Sequence, residues 1–173
     1  MAETMVRMGE LATSAVAGDV LVSLGLGSCI GLGLLDRRLA IAGLAHIVLP
    51  ASGGNEAPGT WKFADHAVPE LIDRVVKLGA RRPMLEAVLV GGASMFTVSK
   101  SSLEVGQRNE AAVRELLRAE RINVIAAETG GSRGRTIRVY VGSHKVTVRE
   151  AGGVETALVR GAEQVAAAQV GVS

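Results

Sequence analysis

The sequence predicts a single α/β or α+β domain, residues 1–173, built on a mixed sheet. Two observations lead to this prediction. Short β-type runs come first, two segments with helical spacing of apolar residues follow, and further β-type runs come after them. The 173 residues are 48% hydrophobic and 21% charged, which is the size and balance of one packed domain. No low-complexity linker divides them, so two domains and intrinsic disorder are both disfavoured.

The first third of the chain is predicted to form strands separated by turns. Pro50 ends the last of these strands because proline cannot continue a strand ladder. The polar, glycine-rich segment from Ala51 to Thr60 is expected to be a surface loop. The predicted strands in this part are Met5 to Met8, Val20 to Leu24, Ile30 to Leu35 and Leu39 to Leu49.

Two helices are predicted after the loop. The first has Asp65 as its N-cap, apolar residues at helical spacing from Val68 to Val76, and Gly79 at its end. The second is expected to begin with Asn109 as its cap, and a weaker third helix runs from Glu155 to Ala168. The remaining predicted elements are strands at Ala87 to Val90, Ile122 to Ala126, Thr136 to Val141 and Val146 to Arg149.

Composition argues against several classes of function. A net charge of +2 and only four aromatic side chains offer little for a nucleic acid to bind or stack on. A single cysteine makes neither an internal disulfide nor a structural zinc knuckle. The longest uncharged run, Val20 to Leu35, has 16 residues and is too short to cross a bilayer, and the chain start lacks the basic segment of a signal peptide. We therefore expect a cytoplasmic protein without membrane insertion.

Cys29 is the first candidate for chemistry. It lies in Gly27-Ser28-Cys29-Ile30-Gly31, which has the spacing of a G-x-nucleophile-x-G turn. That turn ordinarily joins a strand to a helix, whereas β-type sequence follows here. The alternative is a small buried cysteine in a glycine-rich strand.

His46 is the second candidate, through the register of a predicted hairpin. If the strands on either side of Arg37-Arg38 pair so that residue 36 faces residue 39, then Cys29 directly faces His46. Directly opposed residues of antiparallel strands have Cβ atoms about 4.5–5.5 Å apart, which is close enough for an imidazole to hold a thiolate. The alternative is a histidine with satisfied hydrogen bonds on a half-buried strand.

Neighbouring residues could complete a site around this pair. Glycines at positions 25, 27 and 31 let backbone N–H groups approach a reacting carbonyl, as an oxyanion hole requires, or they simply form bulges. Ser23, six residues before Cys29, could orient the imidazole as a third member.

Three other features are weaker. His66 and His144 have no short ligand spacing to the candidates above, so we expect no metal site. Gly91-Gly92 follows a predicted strand but lacks the lysine of a Walker loop. The loop from Gly130 to Arg135 could bind an anion through its amides and guanidinium groups, or be an ordinary polar loop.

Six stretches together resemble the CheD family of chemoreceptor glutamine deamidases. They occur in the family's order and run over nearly the whole chain, and the ordered set is more specific than any one piece. The stretches are LGLGSC (24–29), GLAHIVLP (43–50), KFAD (62–65), GGASMF (91–96), GQRN (106–109) and GGSRGR (130–135). The resemblance implies a single-domain α/β sandwich with a mixed sheet and two to three helices.

The resemblance also implies a mechanism. Cys29 and His46 fall on the family's catalytic cysteine and histidine, 17 residues apart, and Ser23 stands where the family usually has threonine. Serine keeps the hydroxyl but lacks the methyl group that restricts the threonine rotamer. The Cys29 thiolate would attack the carboxamide carbon of a receptor glutamine, backbone amides near Gly27 and Ser28 would hold the oxyanion, and His46 would transfer protons. The resulting thioester would be hydrolysed to glutamate, with no metal or other cofactor.

The implied substrate is a cytoplasmic helix of a methyl-accepting chemoreceptor. Arg133 and Arg135 are candidates to contact its acidic surface. The family is also associated with hydrolysis of receptor glutamyl methyl esters and with a regulatory partner, a phosphatase of the CheC family. We expect the protein to act as a monomer.

Two alternatives to a deamidase remain open at this point. The first is a binding module that keeps the scaffold, has lost turnover and regulates a CheC-type chemotaxis phosphatase. The second is an unrelated thiol hydrolase of small molecules, which would accept free glutamine or simple amides.

Overall fold

Ten strands and two α-helices make up the described part of the chain, which comprises residues 1–54, 59–94 and 100–161 of the computed structural model. The first five strands are β1 (Glu3–Met5), β2 (Leu11–Ser14), β3 (Val20–Leu26), β4 (Ile30–Asp36) and β5 (Ile41–Ile47). The other five are β6 (Leu85–Gly91), β7 (Asn123–Thr129), β8 (Arg135–Tyr140), β9 (Val146–Glu150) and β10 (Glu155–Val159). The helices are α1 (Ala64–Lys77) and α2 (Lys100–Ala119), and a 3-10 turn at Arg82–Met84 leads into β6.

The strands form two five-stranded mixed sheets. The first sheet has the order β1-β3-β8-β9-β10, and the second has the order β2-β5-β4-β6-β7. One pair in each sheet is parallel, β1 with β3 and β6 with β7. One apolar cluster lies between the two sheets, and the other joins the second sheet to α1 and α2. The structure therefore confirms an α/β sandwich, with two mixed sheets and two helices arranged in three layers.

The second sheet is covered on both faces, which explains why its central strands are almost wholly apolar. In β4 the even-numbered apolar residues pack against the helices, whereas Gly31, Gly33 and Leu35 face the first sheet. In β5, Leu44 and His46 face the first sheet in the same way. His46 is consequently directed into the layer between the two sheets.

The β4–β5 hairpin places His46, and its register differs from the predicted one. Asp36 pairs with Ile41 across a four-residue turn, so His46 faces Gly31 and not Cys29. The turn lacks the Asn-Gly or Asp-Gly pair that favours a two-residue hairpin, and the Asp36 carboxylate instead accepts the Arg38 N–H at 3.1 Å within the longer turn. Because the register shifts by an even number of residues, His46 keeps its face, whereas Cys29 precedes the first residue of β4 and has no partner in the β4–β5 ladder.

Three parts of the predicted secondary structure, near the two ends of the chain, are corrected. The strand expected at Met5 to Met8 lies at Glu3–Met5, and β2 was not expected at all. The segment Glu155–Val159, expected to begin a helix, pairs with β9 as a strand because the open edge of β9 offers it hydrogen-bond partners. Residues 162–168 of that predicted helix lie outside the described residues.

Both predicted helix caps are also corrected. Phe63 occupies the N-cap position of α1, and the Asp65 carboxylate accepts hydrogen bonds from the Ser52 N–H and hydroxyl group instead. Asn109 lies in the middle of α2 and is completely buried. Within the described ranges, neither helix combines the length and apolar character that crossing a membrane would require.

The Asp36 carboxylate generates the first prediction, because it also accepts the Arg81 N–H at 2.9 Å while being completely buried. We expect Asp36→Ala to lower the free energy of unfolding by about 3 kcal/mol, since two part-buried hydrogen bonds from backbone N–H groups to this carboxylate are lost, each worth about 1.5 kcal/mol. Asp73→Ala, which removes an exposed carboxylate paired with Lys77, is the control and should have a much smaller effect. Urea denaturation measures both, and equal losses would show that Asp36 does not hold the turn.

Candidate active site

The loop that carries Cys29 joins β3 to β4 and is bound through its carbonyl groups to the end of β6. Gly27 O accepts the Ala93 N–H at 2.8 Å, and Cys29 O accepts the Gly92 N–H at 2.9 Å. Gly91 has φ +118°, and a Cβ atom there would lie 2.1 Å from Cys29 O. Only glycine therefore allows β6 to end against the backbone of the Cys29 loop.

The intervening carbonyl is held by a side chain from α2. Ser28 O accepts a hydrogen bond from Asn109 Nδ2 at 2.9 Å. All peptide bonds described are trans, so each N–H points away from the C=O of its own peptide group. Fixing the carbonyls of Gly27 and Ser28 thus directs the N–H groups of Ser28 and Cys29 to the opposite side of the loop.

These two N–H groups are the best candidates for an oxyanion hole. Neither donates to an oxygen atom of the residues that the structure describes. Sequence reasoning names Gly27 and Ser28 for this role, whereas the orientation of the peptide groups favours Ser28 and Cys29. Two neighbouring donors beside a thiol can bind the negative oxygen that forms when sulfur attacks a carbonyl.

Cys29 lies at the rim of the layer between the sheets, with 9% of its surface exposed. Burial raises the pKa of the thiol above its ordinary value, and its own backbone N–H offsets part of that rise. The thiol is consequently protonated at neutral pH. It forms no hydrogen bond with His46 in the described structure.

His46 is buried, and its ring is oriented by a backbone carbonyl. Nδ1 lies 3.1 Å from Val6 O, and because a carbonyl only accepts, the neutral ring carries its hydrogen on Nδ1 and a lone pair on Nε2. Burial lowers the pKa of His46, although the Val6 hydrogen bond and the charge of Glu10 oppose this. The two shifts favour the neutral forms of both groups, and the thiolate held by His46 stays an expectation.

Ser23 reaches the same carbonyl from β3. Its hydroxyl group donates to Val6 O at 2.8 Å and is completely buried. Ser23 therefore contacts the acceptor of His46 and not the imidazole itself. Sequence reasoning missed Val6, since a carbonyl acceptor has no side-chain signature and is supplied here by the residue that follows β1.

The two arginines proposed for substrate binding differ in their exposure to solvent. Arg133 is exposed, whereas Arg135 is buried and its Nη1 donates to Gly130 O at 2.7 Å and to Gly91 O at 3.3 Å. Its Nε also lies 3.3 Å from a carboxylate oxygen of Glu128. Arg135 braces the loop and the end of β6, because alternate residues of β8 are buried and Arg135 is one of them. Arg133 is therefore the more accessible of the two candidates for substrate contact.

The other histidines lie away from this pair. His144 contacts Leu39 O through Nε2, at the opposite end of β5 from His46, and His66 packs edge-on against the Phe63 ring in α1. Among the described residues, no three His, Cys, Asp or Glu side chains come together as a metal site would require.

Three cavities in the structure have volumes of about 900, 320 and 170 Å³. Neither Cys29 nor His46 lines any of these three. The 900 Å³ groove lies where β3 begins and β8 ends, which is the end of the first sheet remote from the Cys29 loop. The candidate nucleophile therefore lies at a rim and outside these grooves.

The family model and the curated relatives that match this chain agree on one family. The family model described as "CheD chemotactic sensory transduction" matches residues 48–150. A relative from Methanococcus vannielii is 41% identical over 145 residues, covering 84% of this chain and 93% of the relative. Relatives from Clostridium botulinum and Archaeoglobus fulgidus are 40% and 36% identical, each match covering 88% of this chain and 96% of the relative. All three relatives are named "Probable chemoreceptor glutamine deamidase CheD".

The extent of these matches decides whether they include Cys29 and His46. The family model begins after Cys29 and His46. A match that covers 88% of the chain, however, necessarily includes both positions. Two solved structures, Bacillus licheniformis hypothetical protein YfiH and Neisseria meningitidis protein NMB0706, match with TM-scores of 0.43 and 0.44 and identities of 14% and 9%. They cover 66% and 76% of this chain, and 49% and 63% of their own chains, and we base no argument on them.

The raised pKa of Cys29 generates a prediction for thiol reactivity. The rate of alkylation by iodoacetamide should rise with pH around a midpoint above the ordinary thiol value of about 8.5, because burial disfavours the thiolate. Cys29 is the only thiol, so intact mass reports on it alone. The urea-unfolded protein is the control and should titrate at the ordinary value. A native midpoint well below the unfolded one would contradict the neutral resting pair.

The close approach at Gly91 generates a second prediction. Gly91→Ala should destabilise the protein more than Gly130→Ala, since an added Cβ at Gly91 meets Cys29 O. Gly130 also has positive φ (+81°), but nothing lies within 4 Å of an added Cβ, so its substitution should cost only about 1–2 kcal/mol for the backbone conformation. Thermal denaturation by circular dichroism compares the two variants. Equal losses would mean that the end of β6 moves freely away from the loop.

Proposed function

The chain belongs to the CheD family, and we propose that it is a protein-glutamine deamidase that converts glutamine side chains of methyl-accepting chemoreceptors to glutamate. One observation carries the catalytic assignment. The only thiol of the chain lies beside the N–H groups of Ser28 and Cys29, neither of which donates to an oxygen atom of the described residues, on the inter-sheet side where the buried imidazole of His46 is also directed. Nucleophile, oxyanion donors and base are the three parts that acyl transfer requires.

The first half-reaction forms the thioester. His46 Nε2 takes the thiol proton as Cys29 Sγ bonds to the carboxamide carbon of the glutamine, and the N–H groups of Ser28 and Cys29 bind the oxygen that becomes negative. Protonated His46 then gives its proton to the leaving nitrogen. The C–N bond breaks, ammonia departs, and the acyl group remains on sulfur.

The second half-reaction consumes one water molecule. His46 Nε2 takes a proton from the water as its oxygen bonds to the thioester carbon. The same two N–H groups bind the oxyanion again. The C–S bond breaks, the sulfur recovers a proton from His46, and the products are a glutamate side chain and the free thiol.

The neutral resting state of Cys29 and His46 suits this sequence of proton transfers. Burial keeps the imidazole unprotonated, so Nε2 is available as a base at neutral pH. The Val6 carbonyl then stabilises the imidazolium that forms, because its hydrogen bond to Nδ1 favours the charged ring. Ser23 holds that carbonyl in place through its own hydrogen bond.

The position of the nucleophile supports a protein-borne glutamine. Cys29 lies at a rim and outside the three described cavities, where a side chain projecting from a helix could reach it. The exposed Arg133 remains the candidate to meet an acidic helix surface. Retention of both Cys29 and His46 argues against a silent binding module.

The wider setting is part of the same proposal. The protein would act as a monomer in the cytoplasm, bind a CheC-type phosphatase, and release methanol when the same thiol attacks a glutamyl methyl ester. These points rest on resemblance to the family. Light scattering of the purified protein tests the monomeric state, and titration with a purified CheC-type phosphatase tests the binding of that partner.

Incubation of a purified chemoreceptor cytoplasmic fragment with the protein, read by intact mass, tests the function. The wild type should deamidate the fragment and Cys29→Ala should not, because no other thiol is present. His46→Ala should lose about 10²–10⁴-fold in rate, as expected for a general acid–base group. Ser23→Ala should lose no more than about tenfold, the equivalent of one hydrogen bond, and Ser23→Thr should be tolerated.

Free glutamine serves as the control substrate in this assay. Circular dichroism confirms that each variant is folded. Turnover by folded Cys29→Ala would exclude the nucleophile, and equal efficiency on free glutamine and receptor would favour the small-molecule hydrolase. Binding of a CheC-type phosphatase without any turnover would favour the silent regulator.

A further inference from the structure

Asn109 joins the two catalytic segments through a single nitrogen atom. Its Nδ2 donates to Ser28 O and to Val48 O, each at 2.9 Å. Ser28 immediately precedes the proposed nucleophile, and Val48 lies two residues after His46. The side chain is completely buried in α2.

This bridge lies where the backbone ladder between β4 and β5 stops. The last pair is Ile30 with Ile47, and beyond it each strand end turns to a different neighbour. Val48 N–H donates to Lys62 O at 2.7 Å, and Cys29 O accepts from the Gly92 N–H. In the described structure no backbone hydrogen bond then joins the two strand ends, and Asn109 occupies that gap.

We propose that Asn109 is a positioning residue that sets the separation of Cys29 and His46 and aims the oxyanion donors. The inference rests on the proposed deamidase function. By holding Ser28 O, Asn109 directs the Cys29 N–H to the side of the thiol. By holding Val48 O at the same time, it ties that peptide group to the strand that carries His46.

The chemistry of the side chain fits this role. A carboxamide supplies two N–H donors from one planar nitrogen, which matches two carbonyl acceptors. The helix also approaches the loop very closely, since a Cβ atom at Gly106 would lie 2.7 Å from Gly92 O. A short side chain such as asparagine fits the space that this approach leaves.

The other end of the side chain argues against a purely stabilising role. Asn109 Oδ1 is buried, and none of the residues that the structure describes donates a hydrogen bond to it. A buried acceptor without a partner costs free energy of folding, which a leucine of similar size would not. A side chain that is present in spite of this cost is typical of a functional site, where the residue type is decided by function and not by stability.

The test compares Asn109→Leu and Asn109→Asp with Val113→Ala. Asn109→Leu keeps the approximate size and removes both donors, and Asn109→Asp keeps the shape but retains at most one donor, the O–H of its protonated form. Val113 is the matched control, because it is completely buried one turn further along the same helix but packs in the core between helices and sheet. All proteins are assayed on the receptor fragment at a temperature where circular dichroism shows them folded, and Asn109→Asp decides the matter if Asn109→Leu does not fold.

We expect kcat to fall about 10²-fold in both Asn109 variants with little change in KM, because misplacement of reacting groups by about 1 Å has this effect on rate. Val113→Ala should lower the melting temperature and keep the wild-type kcat. Wild-type kcat in a folded Asn109 variant, or an equal loss in Val113→Ala, would overturn the proposal.

Alkylation of Cys29 separates this proposal from the deamidase function itself. A wild type without turnover on receptor fragments is a failure of the proposed function. Asn109 should still control the thiol in that case, so iodoacetamide should react faster with Asn109→Leu than with the wild type or Val113→Ala, because the freed loop exposes the sulfur. Equal alkylation rates in the three proteins would refute the positioning role.

Discussion

The orientation of the two peptide groups on either side of Ser28 is the constraint on which the candidate site depends. Their carbonyl oxygens accept hydrogen bonds from Ala93 N–H and from Asn109. Their N–H groups therefore point to the opposite side of the loop. The partners come from the end of β6 and from α2, two elements far from Cys29 in sequence. The close packing at Gly91 and Gly106 brings these partners within hydrogen-bond distance of the Cys29 loop.

The layer between the sheets sets the protonation states. Burial disfavours the charged forms of both Cys29 and His46, raising the pKa of the thiol and lowering that of the imidazole. The partner of His46 across the hairpin is Gly31, where an added Cβ would lie 2.8 Å from Leu26 Cδ1 and 3.1 Å from Ile137 Cγ2. A glycine at this position therefore lets the first sheet pack closely on the second.

The hydroxyl group of Ser23 contacts the acceptor of His46 and not the reacting groups themselves. It and His46 Nδ1 share Val6 O, so the orienting acceptor is the backbone that follows β1. The Val6 backbone is itself tied to β3, through its N–H to Val22 O at 2.7 Å. Either serine or threonine is compatible with this arrangement at position 23, because only the hydroxyl group is used.

The sequence by itself determined the fold class and indicated the chemistry. Apolar periodicity located α1 and most central strands, and the unique Cys29 with His46 and the motifs around them indicated the thiol chemistry, because these signals are local or are carried by residue type. Tertiary structure decided what depends on pairing between distant segments. The four-residue turn after Asp36 fixed the hairpin register, the edge of β9 made Glu155–Val159 a strand, and the inward alternation of β8 buried Arg135. Asn109, which resembles a helix cap in the sequence, became the bridge between two carbonyls, because only packing of α2 against the ends of β4 and β5 brings those acceptors to it.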